Sequence, residues 1–520
     1  MTLLLSQLFL FLWMTQAEEP IALQTNSDIH YQTIDGFGAS DAWRAQFVGL
    51  HWPLEKRNHI ADLLFSQEMD EDGQPLGIGL SLWRFNISAG TSEQGEASGI
   101  ANVWRRGECF LNADGTYDWS KQKGQQWFLQ AAKERGVEKF LAFPNAPPVF
   151  LSANGLGFAS KGHERFNLKA GAMLAYAEFL AEVLEHFQEE GFAFDYLSPV
   201  NEPQWDWDNG SQEGTPAQNE EVYELLGHLS LELSQRNLDT EIVIGEAGTI
   251  GHAAISMKTI GEDGEGRDDQ ARYFFSPSSP YYIGDLPKVA NILSAHSYHS
   301  VWPIENQVSY RQLVAENFRA ANPALGYWMS EYCILQENGE IGKGGGRDLG
   351  MATALYVARI IHHDLSITNA KSWQWWTAIT EVDYKDGLVY LDDGSGEGTG
   401  RMGAHIPGLQ KDGAVRESKL LWVMGNYSRF IRPGMVRIHC EISPEQSPVD
   451  GILVTAYKDL KEKRLVYVLT NLSEQQVHIN LGHSGEVKAY TTDEDSDMKF
   501  SIQKAHQVNL PARSVTTLVL

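Results

Sequence analysis

Two glutamates hold the chemistry that this sequence could perform. Glu202 follows a short apolar run from Tyr196 to Val200 and sits in Asn201-Glu202-Pro203, just ahead of Trp205 and Trp207. A proline cannot continue a sheet ladder, so the run reads as a buried strand that stops at an acid. The two tryptophans offer flat apolar faces of the kind that pack on sugar rings or on other apolar partners. Glu331 closes a second apolar run, within Tyr327 to Cys333. Taken singly, either acid reads as a surface carboxylate in a loop. As a pair at two strand ends they are what retaining glycoside hydrolysis needs, one protonated and one ionised, about 5–5.5 Å apart. Glu246, in Gly245-Glu246-Ala247-Gly248, competes with them but lacks an aromatic platform, and reads as substrate-contacting or structural.

Such a pair needs a frame. Short apolar runs that read as strands occur at Thr33–Phe37, Gly79–Ser88, Lys139–Ala146, Tyr196–Asn201, Glu241–Ala247, Ile292–Tyr298, Tyr327–Glu331 and Lys371–Thr377. Helix-period segments lie between them, at Trp119–Gly136, Ala170–Glu190, Ala217–Asn237 and Asp348–Asp364. This alternation predicts an α/β fold, a closed (β/α)8 TIM barrel. An open sheet is the alternative, but Gly36-Phe37-Gly38 is followed by Ala39-Ser40-Asp41, which is no dinucleotide fingerprint. Strands four and seven lie on opposite sides of a barrel, so Glu202 and Glu331 can face each other across its mouth. Other strand ends supply Arg84, Asn145, Asn201, His296, Tyr298 and Trp376. Arg84 beside Glu331 would keep it ionised, the plainer reading being a structural ion pair. Tyr298 reads equally as a core tyrosine, and His296 as a satisfied core residue. His362-His363-Asp364 reads as a solvated helix end, not a metal site.

Beyond Arg432-Pro433-Gly434 the pattern changes to short β-branched runs, from Val436–Cys440 to Ser514–Leu520, which predict a small all-β domain. Residues 33–431 are then the barrel and 432–520 the β-domain. Asp392–Gly403, rich in glycine and acids, reads as a surface loop. Residues 2–14 are apolar but too short to span a bilayer, and small residues follow. Residues 1–17 therefore read as a signal peptide, with the mature chain secreted, periplasmic or extracellular. Formal charge is -27, from 41 Lys plus Arg against 68 Asp plus Glu, which repels nucleic acid and anionic membranes. The three cysteines, Cys109, Cys333 and Cys440, allow at most one bridge and read as buried thiols. No cofactor or metal is expected, since two carboxyls cover both halves of the displacement. The chain is expected to act as a monomer on a β-linked oligo- or polysaccharide.

Gly36-Phe37-Gly38, Asn201-Glu202-Pro203, Ser330-Glu331-Tyr332 and the appended β-domain together resemble glycoside hydrolase family 30, over roughly residues 20–520. The resemblance implies that Glu202 is the acid/base, that Glu331 is the nucleophile and that Asn201 holds the 2-hydroxyl of the reacting sugar. It implies that Arg84 and Tyr298 steady the nucleophile and that Trp376 floors the sugar subsite. Asp41 and Trp43 fall where related enzymes contact sugar hydroxyls, Asp41 being the stronger choice. Asn145 and Trp205 complete the expected substrate contacts. The family's split β-domain implies that residues 18–32 pack with the C-terminal strands. The turn from Gly36 to Trp43 and the run from Phe143 to Pro148 look most like the endo-β-1,6-galactanase branch. Arg44 and an insertion-like segment at Gly90–Cys109 depart from it. β-1,6-Glucanase, xylanase and glucosylceramidase-like specificities stay open, as does a non-catalytic carbohydrate-binding protein on the same fold.

Overall fold

The computed structural model describes residues 21–396, 398–399 and 406–520. The expected signal peptide, and part of the loop at 392–403, lie outside the described residues. The chain begins with β1 (Ile21–Thr33) and then enters a barrel of β2 (Gly36–Ser40), β3 (Leu82–Ile87), β4 (Lys139–Pro144), β5 (Tyr196–Leu197), β6 (Glu241–Ala247), β7 (Val289–His296), β8 (Gly326–Glu331) and β9 (Ser372–Trp375). These strands run parallel in chain order, and β9 closes on β2 by pairing Phe37 with Trp373. The barrel is the expected (β/α)8 fold. Its first strand is displaced from the expected Thr33–Phe37, because Thr33 ends β1, paired with Val436, and Ile34-Asp35 separates the two. β5 is short because Pro199 has no N–H to donate.

Hydrophobicity sets which way each strand faces. Leu82, Leu141, Tyr196, Val243, Ile292 and Trp328 point inward and fill the lower barrel as one buried layer. Trp83 and Phe85, on the other face of β3, pack outward on aromatic rings such as Phe65 and Phe187. Burying this much apolar surface at roughly 25 cal/mol per Å² is the main force that closes the barrel. The helices begin at local signals. Gln218 and Glu221 form a capping box before Asn219–Gln235, and Asp348 accepts bonds from the N–H groups of Gly350 and Thr353 at the start of Met351–Ser366. His363 and Asp364 are buried within that last helix, where His363 bonds the Pro448 carbonyl, so this end is an interface and not a solvated terminus.

After the barrel come β10 (Thr377–Thr380), β11 (Gly387–Asp392) and β12 (Ala414–Glu417), a small sheet that the sequence did not signal. The C-terminal part contributes β13 (Val436–Ser443), β14 (Ile452–Lys458), β15 (Leu465–Asn471), β16 (Val477–Asn480), β17 (Glu486–Thr492), β18 (Lys499–Lys504), β19 (Val508–Leu510) and β20 (Ser514–Val519). With β1 they make a separate all-β domain, in which β1 lies between β13 and β16. Helix Lys419–Ser428 joins it to the barrel. The Asn426 amide donates to the Tyr490 carbonyl and the Thr517 hydroxyl, each bond buried. All three cysteines are free thiols. Among the described residues, no helix is long and apolar enough to cross a membrane.

Candidate active site

The upper ends of β3 to β8 carry a buried cluster of charge above the apolar layer. Arg84 is fully buried, with its guanidinium 3.8 Å over the Phe143 ring. Its Nη1 donates to Glu331 Oε2 at 2.5 Å, and its Nη2 donates at 3.0 Å to both Asn201 Oδ1 and Glu246 Oε2. Asn201 in turn donates to Asn145 Oδ1 at 3.1 Å. Tyr298 Oη donates to Glu331 Oε1 at 3.0 Å. His296 bridges two acids: Nδ1 lies 2.9 Å from Glu202 Oε1 and Nε2 lies 2.8 Å from Glu246 Oε2. One oxygen of Glu202, one of Glu331 and a ring nitrogen of His296 fall within 4.8 Å of one another.

Backbone irregularity aims two of these acids. Strict alternation from the inward Val243 would turn Glu246 outward. Instead the β6–β7 register slips between Ile244 and Ala247, with Gly245 at φ 117° and Glu246 at φ 42°. The slip turns Glu246 into the barrel, as a bulge re-aims a side chain. Gly245 is required there, since a Cβ would lie 2.3 Å from the Ser294 carbonyl oxygen. Glu202 is also left-handed, at φ 46°, and its N–H donates to the Glu246 carbonyl at 2.9 Å. The two loops are thus tied at their acids.

The electrostatics follow from burial and from this bonding. Burial alone would raise the Glu246 pKa, but the Arg84 charge and the His296 bond outweigh it and bring it to about 2. Burial opposes a charged His296, yet Glu331 and the bonds to Glu202 and Glu246 raise it to about 10, so it is an imidazolium that donates from both nitrogens. Glu331 is shifted upward, first by burial and then by Glu202, against the pull of His296 and Arg84. Arg84 is therefore where the sequence places it and pulls Glu331 down as expected, but burial and Glu202 outweigh it. Burial keeps Tyr298 a neutral phenol that can donate. Three carboxylates face two cations, so the cluster is neutral when one carboxyl keeps a proton. The oxygens and the ring nitrogen could hold a metal by distance alone, but both His296 nitrogens are committed to carboxylates and Glu331 to Arg84 and Tyr298.

Above the cluster opens a cleft of about 360 Å³ lined by Glu202, Trp205, Trp207, Tyr298, Glu331 and Trp376, among others. Seven of the expected site residues gather here: Glu202, Glu331, Arg84, Asn201, Asn145, Tyr298 and Trp376, with Trp205 on the wall. Trp43 is buried behind Trp376, edge to face at 5.7 Å. Asp41 is buried too. Its oxygens accept bonds from the Asn86 N–H at 2.8 Å and from Gln125 Nε2 at 3.1 Å, and burial raises its pKa to about 7. Trp373 and Trp375 are packing residues, their indoles bonded to Asp364 and to the Asp386 carbonyl. Sequence reasoning undervalued His296 and Glu246 and did not single out Ser330, which donates to Glu246 at 2.9 Å. The available signals were the Gly245 before Glu246 and the two-residue spacing of His296 and Tyr298.

The model of O-glycosyl hydrolase family 30 matches residues 20–390. Among curated proteins, the chain is 24% identical over 265 residues to an endo-β-1,6-galactanase of Hypocrea rufa, covering 48% of this chain and 54% of that protein. It is 26% identical over 203 residues to a glucuronoxylanase of Bacillus subtilis, covering 34% and 40%. The chain thus matches about half the length of these relatives or less. Among solved structures, a conserved exported protein from Bacteroides fragilis is 36% identical, with TM-score 0.89 and coverage of 96% of this chain and 100% of that one. The catalytic domain of a family 30 xylanase C from Talaromyces cellulolyticus shares the fold, with 21% identity, TM-score 0.66 and coverage of 96% and 99%. On the match across residues 20–390, the chain belongs to O-glycosyl hydrolase family 30.

Proposed function

We propose that this protein hydrolyses β-glycosidic bonds in a polysaccharide with retention of configuration. The observation that carries this reading is the facing of Glu202 and Glu331, with oxygens within 4.8 Å across the cleft, a separation suited to direct attack and too small for a water between the carboxyls. Glu331, steadied by Arg84 and Tyr298, attacks the anomeric carbon as the carboxylate. The carbon–oxygen bond to the leaving sugar breaks, and the Glu202 proton passes to that oxygen. Water then attacks the glycosyl-enzyme, giving its proton back to Glu202 and freeing Glu331. Asn201, held by Arg84 and Asn145, is placed for the 2-hydroxyl, and Trp205 and Trp376 for stacking.

The substrate proposed is a β-1,6-galactan, on the likeness to the Hypocrea rufa galactanase and on the resemblance of the Gly36–Trp43 turn and the Phe143–Pro148 run to that branch. Glucuronoxylan is the second reading, favoured by the relative 26% identical over 203 residues. Export is also proposed, on the N-terminal apolar run and the exported Bacteroides fragilis neighbour. The test is a panel of β-1,6-galactan, β-1,6-glucan, glucuronoxylan and glucosylceramide, with products sized and the first-formed anomer read by proton NMR. The retained anomer and fastest cleavage of galactan are expected. Glucan or xylan cleaved about tenfold faster overturns the galactan assignment. An inverted anomer overturns the mechanism. No cleavage at all favours a binding protein.

A further inference from the structure

Trp207 stands out because it does two things at once. It lines the cleft with Glu202 and Glu331. Its indole Nε1–H also donates to the main-chain carbonyl of Glu202 at 3.0 Å. That carbonyl takes a second bond, from the Trp205 N–H at 3.2 Å, while the Glu202 N–H is held by Glu246. Glu202 is a non-glycine residue in the left-handed region, at φ 46°, and Trp207 is another, at φ 49°. Such backbone persists only where surrounding bonds over-determine it. The Trp207 indole is one of those bonds.

The ring is fixed from behind. Gly214 lies flat against it, and a Cβ there would sit 2.4 to 2.7 Å from Trp207 Cδ2, Cγ and Cε3. Gly214 is itself anchored through its N–H to the Gly157 carbonyl, and the Trp207 carbonyl accepts from the Ala159 N–H. One face of the indole is therefore packed on backbone, and the side chain is only partly buried, with the rest of it in the cleft wall. A general acid must lie beside the oxygen that it protonates, so the ring bonded to the Glu202 backbone lies on the leaving-group side.

We infer that Trp207 is a positioning residue that couples binding of the leaving sugar to the placement of the acid: a pyranose stacked on its face fixes the ring, and the ring's N–H fixes Glu202. This rests on the glycosidase reading above and extends it, since nothing in that reading requires the tryptophan to act on the acid.

The experiment separates face from hydrogen bond. Trp207→Phe keeps an aromatic face and loses the donor; Trp207→Ala loses both. Each is assayed on the glycan that the native enzyme cleaves best in the panel, and on the 2,4-dinitrophenyl glycoside of the sugar released, whose leaving group needs no proton. Trp207→Phe should lower kcat on the glycan by about tenfold or more, with KM within about threefold, and leave the burst rate at which the dinitrophenyl substrate forms the glycosyl-enzyme within about twofold of native. Trp207→Ala should in addition raise the glycan KM by about tenfold. A native burst rate with the dinitrophenyl substrate shows that each variant is folded. An unchanged glycan kcat in Trp207→Phe overturns the inference, and so does a loss in the dinitrophenyl burst rate equal to the loss on the glycan. A native protein inactive on every glycan overturns the glycosidase reading itself, a result distinct from either.

Discussion

Two of the buried arginine–carboxylate clusters are built on opposite plans. Behind the barrel, Arg311 Nε donates to Asp364 Oδ1 at 2.6 Å, and the Ser297 hydroxyl and the Trp373 indole complete the acid's shell. The remaining Arg311 groups reach the Ser300 and Gln307 carbonyls and Ser297. One cation meets one anion, the bonds are filled, and both side chains are fully buried. At the barrel mouth, Arg84 and His296 meet three carboxylates, and two of those acids face the cleft. Burial and an arginine are common to both. What marks a reacting site is the unmatched charge together with an opening.

The largest effect should separate the two clusters outright. Glu331→Gln removes the nucleophile and lowers turnover on the order of 10⁴-fold, with the melting temperature held or raised, because it relieves one surplus charge. Asp364→Asn should do the reverse, costing about 3–5 kcal/mol of stability by leaving Arg311 unpaired, with kcat of the folded protein unchanged. Denaturant melts beside steady-state assays check both. A Glu331→Gln protein as unstable as Asp364→Asn would erase the distinction.

Within the open cluster the two cleft acids should differ. Glu202→Gln is expected to slow glycan hydrolysis by about 10²–10⁴-fold, yet to form the glycosyl-enzyme from a dinitrophenyl glycoside at close to the native rate, seen as a burst. Equal residual activity of the Glu202 and Glu331 variants on that substrate would contradict their roles. Tyr298→Phe removes one donor to a charged oxygen and should cost about 10–100-fold in kcat, with little change in KM.

The smallest effect expected is in pH. His296 is raised from 6.5 to about 10 by the folded state, so its stabilising contribution is complete below about 6.5 and is lost as pH rises through about 10. Glu246 is lowered to about 2, so its contribution is present above about 4.5 and lost as pH falls through about 2. Thermal melts should weaken from pH 7 to 10. His296→Gln should flatten that alkaline slope, and Asp364→Asn should leave it in place.

The contrast also explains what could be read from the sequence. Glu202 and Glu331 were legible because each ends an apolar run beside aromatics or a proline, a local signal. Arg84 and Tyr298 followed from strand-end position. Glu246 was underrated because its inward aim depends on a register slip between β6 and β7, and no alternation pattern shows a slip. His296 looked like a core histidine because nothing local says that both its nitrogens meet carboxylates from two other strands. In the β-domain, β18 passed unseen: Lys499 to Lys504 offers only Phe500 and Ile502 as apolar residues, as an edge strand can. The shift of the first barrel strand had a similar origin, since β-forming Thr33 closes β1 and Ile34 lies between β1 and β2.

The pairing of β1 with β13 also has a bearing on how the protein is made. Thr25 and Cys440 touch across that ladder although they are 415 positions apart. At about 5–20 residues per second, a ribosome needs roughly 20–80 s to deliver the partner after the first strand has emerged. During that time β1 has no ladder to join. Its composition fits the delay: Leu23 is its one buried apolar side chain, and most of its other residues stay exposed even when folded. The barrel, whose neighbours follow one another along the chain, can assemble in the meantime. The β-domain is then the last part to close, and the earliest segment made is the one that waits longest for its place.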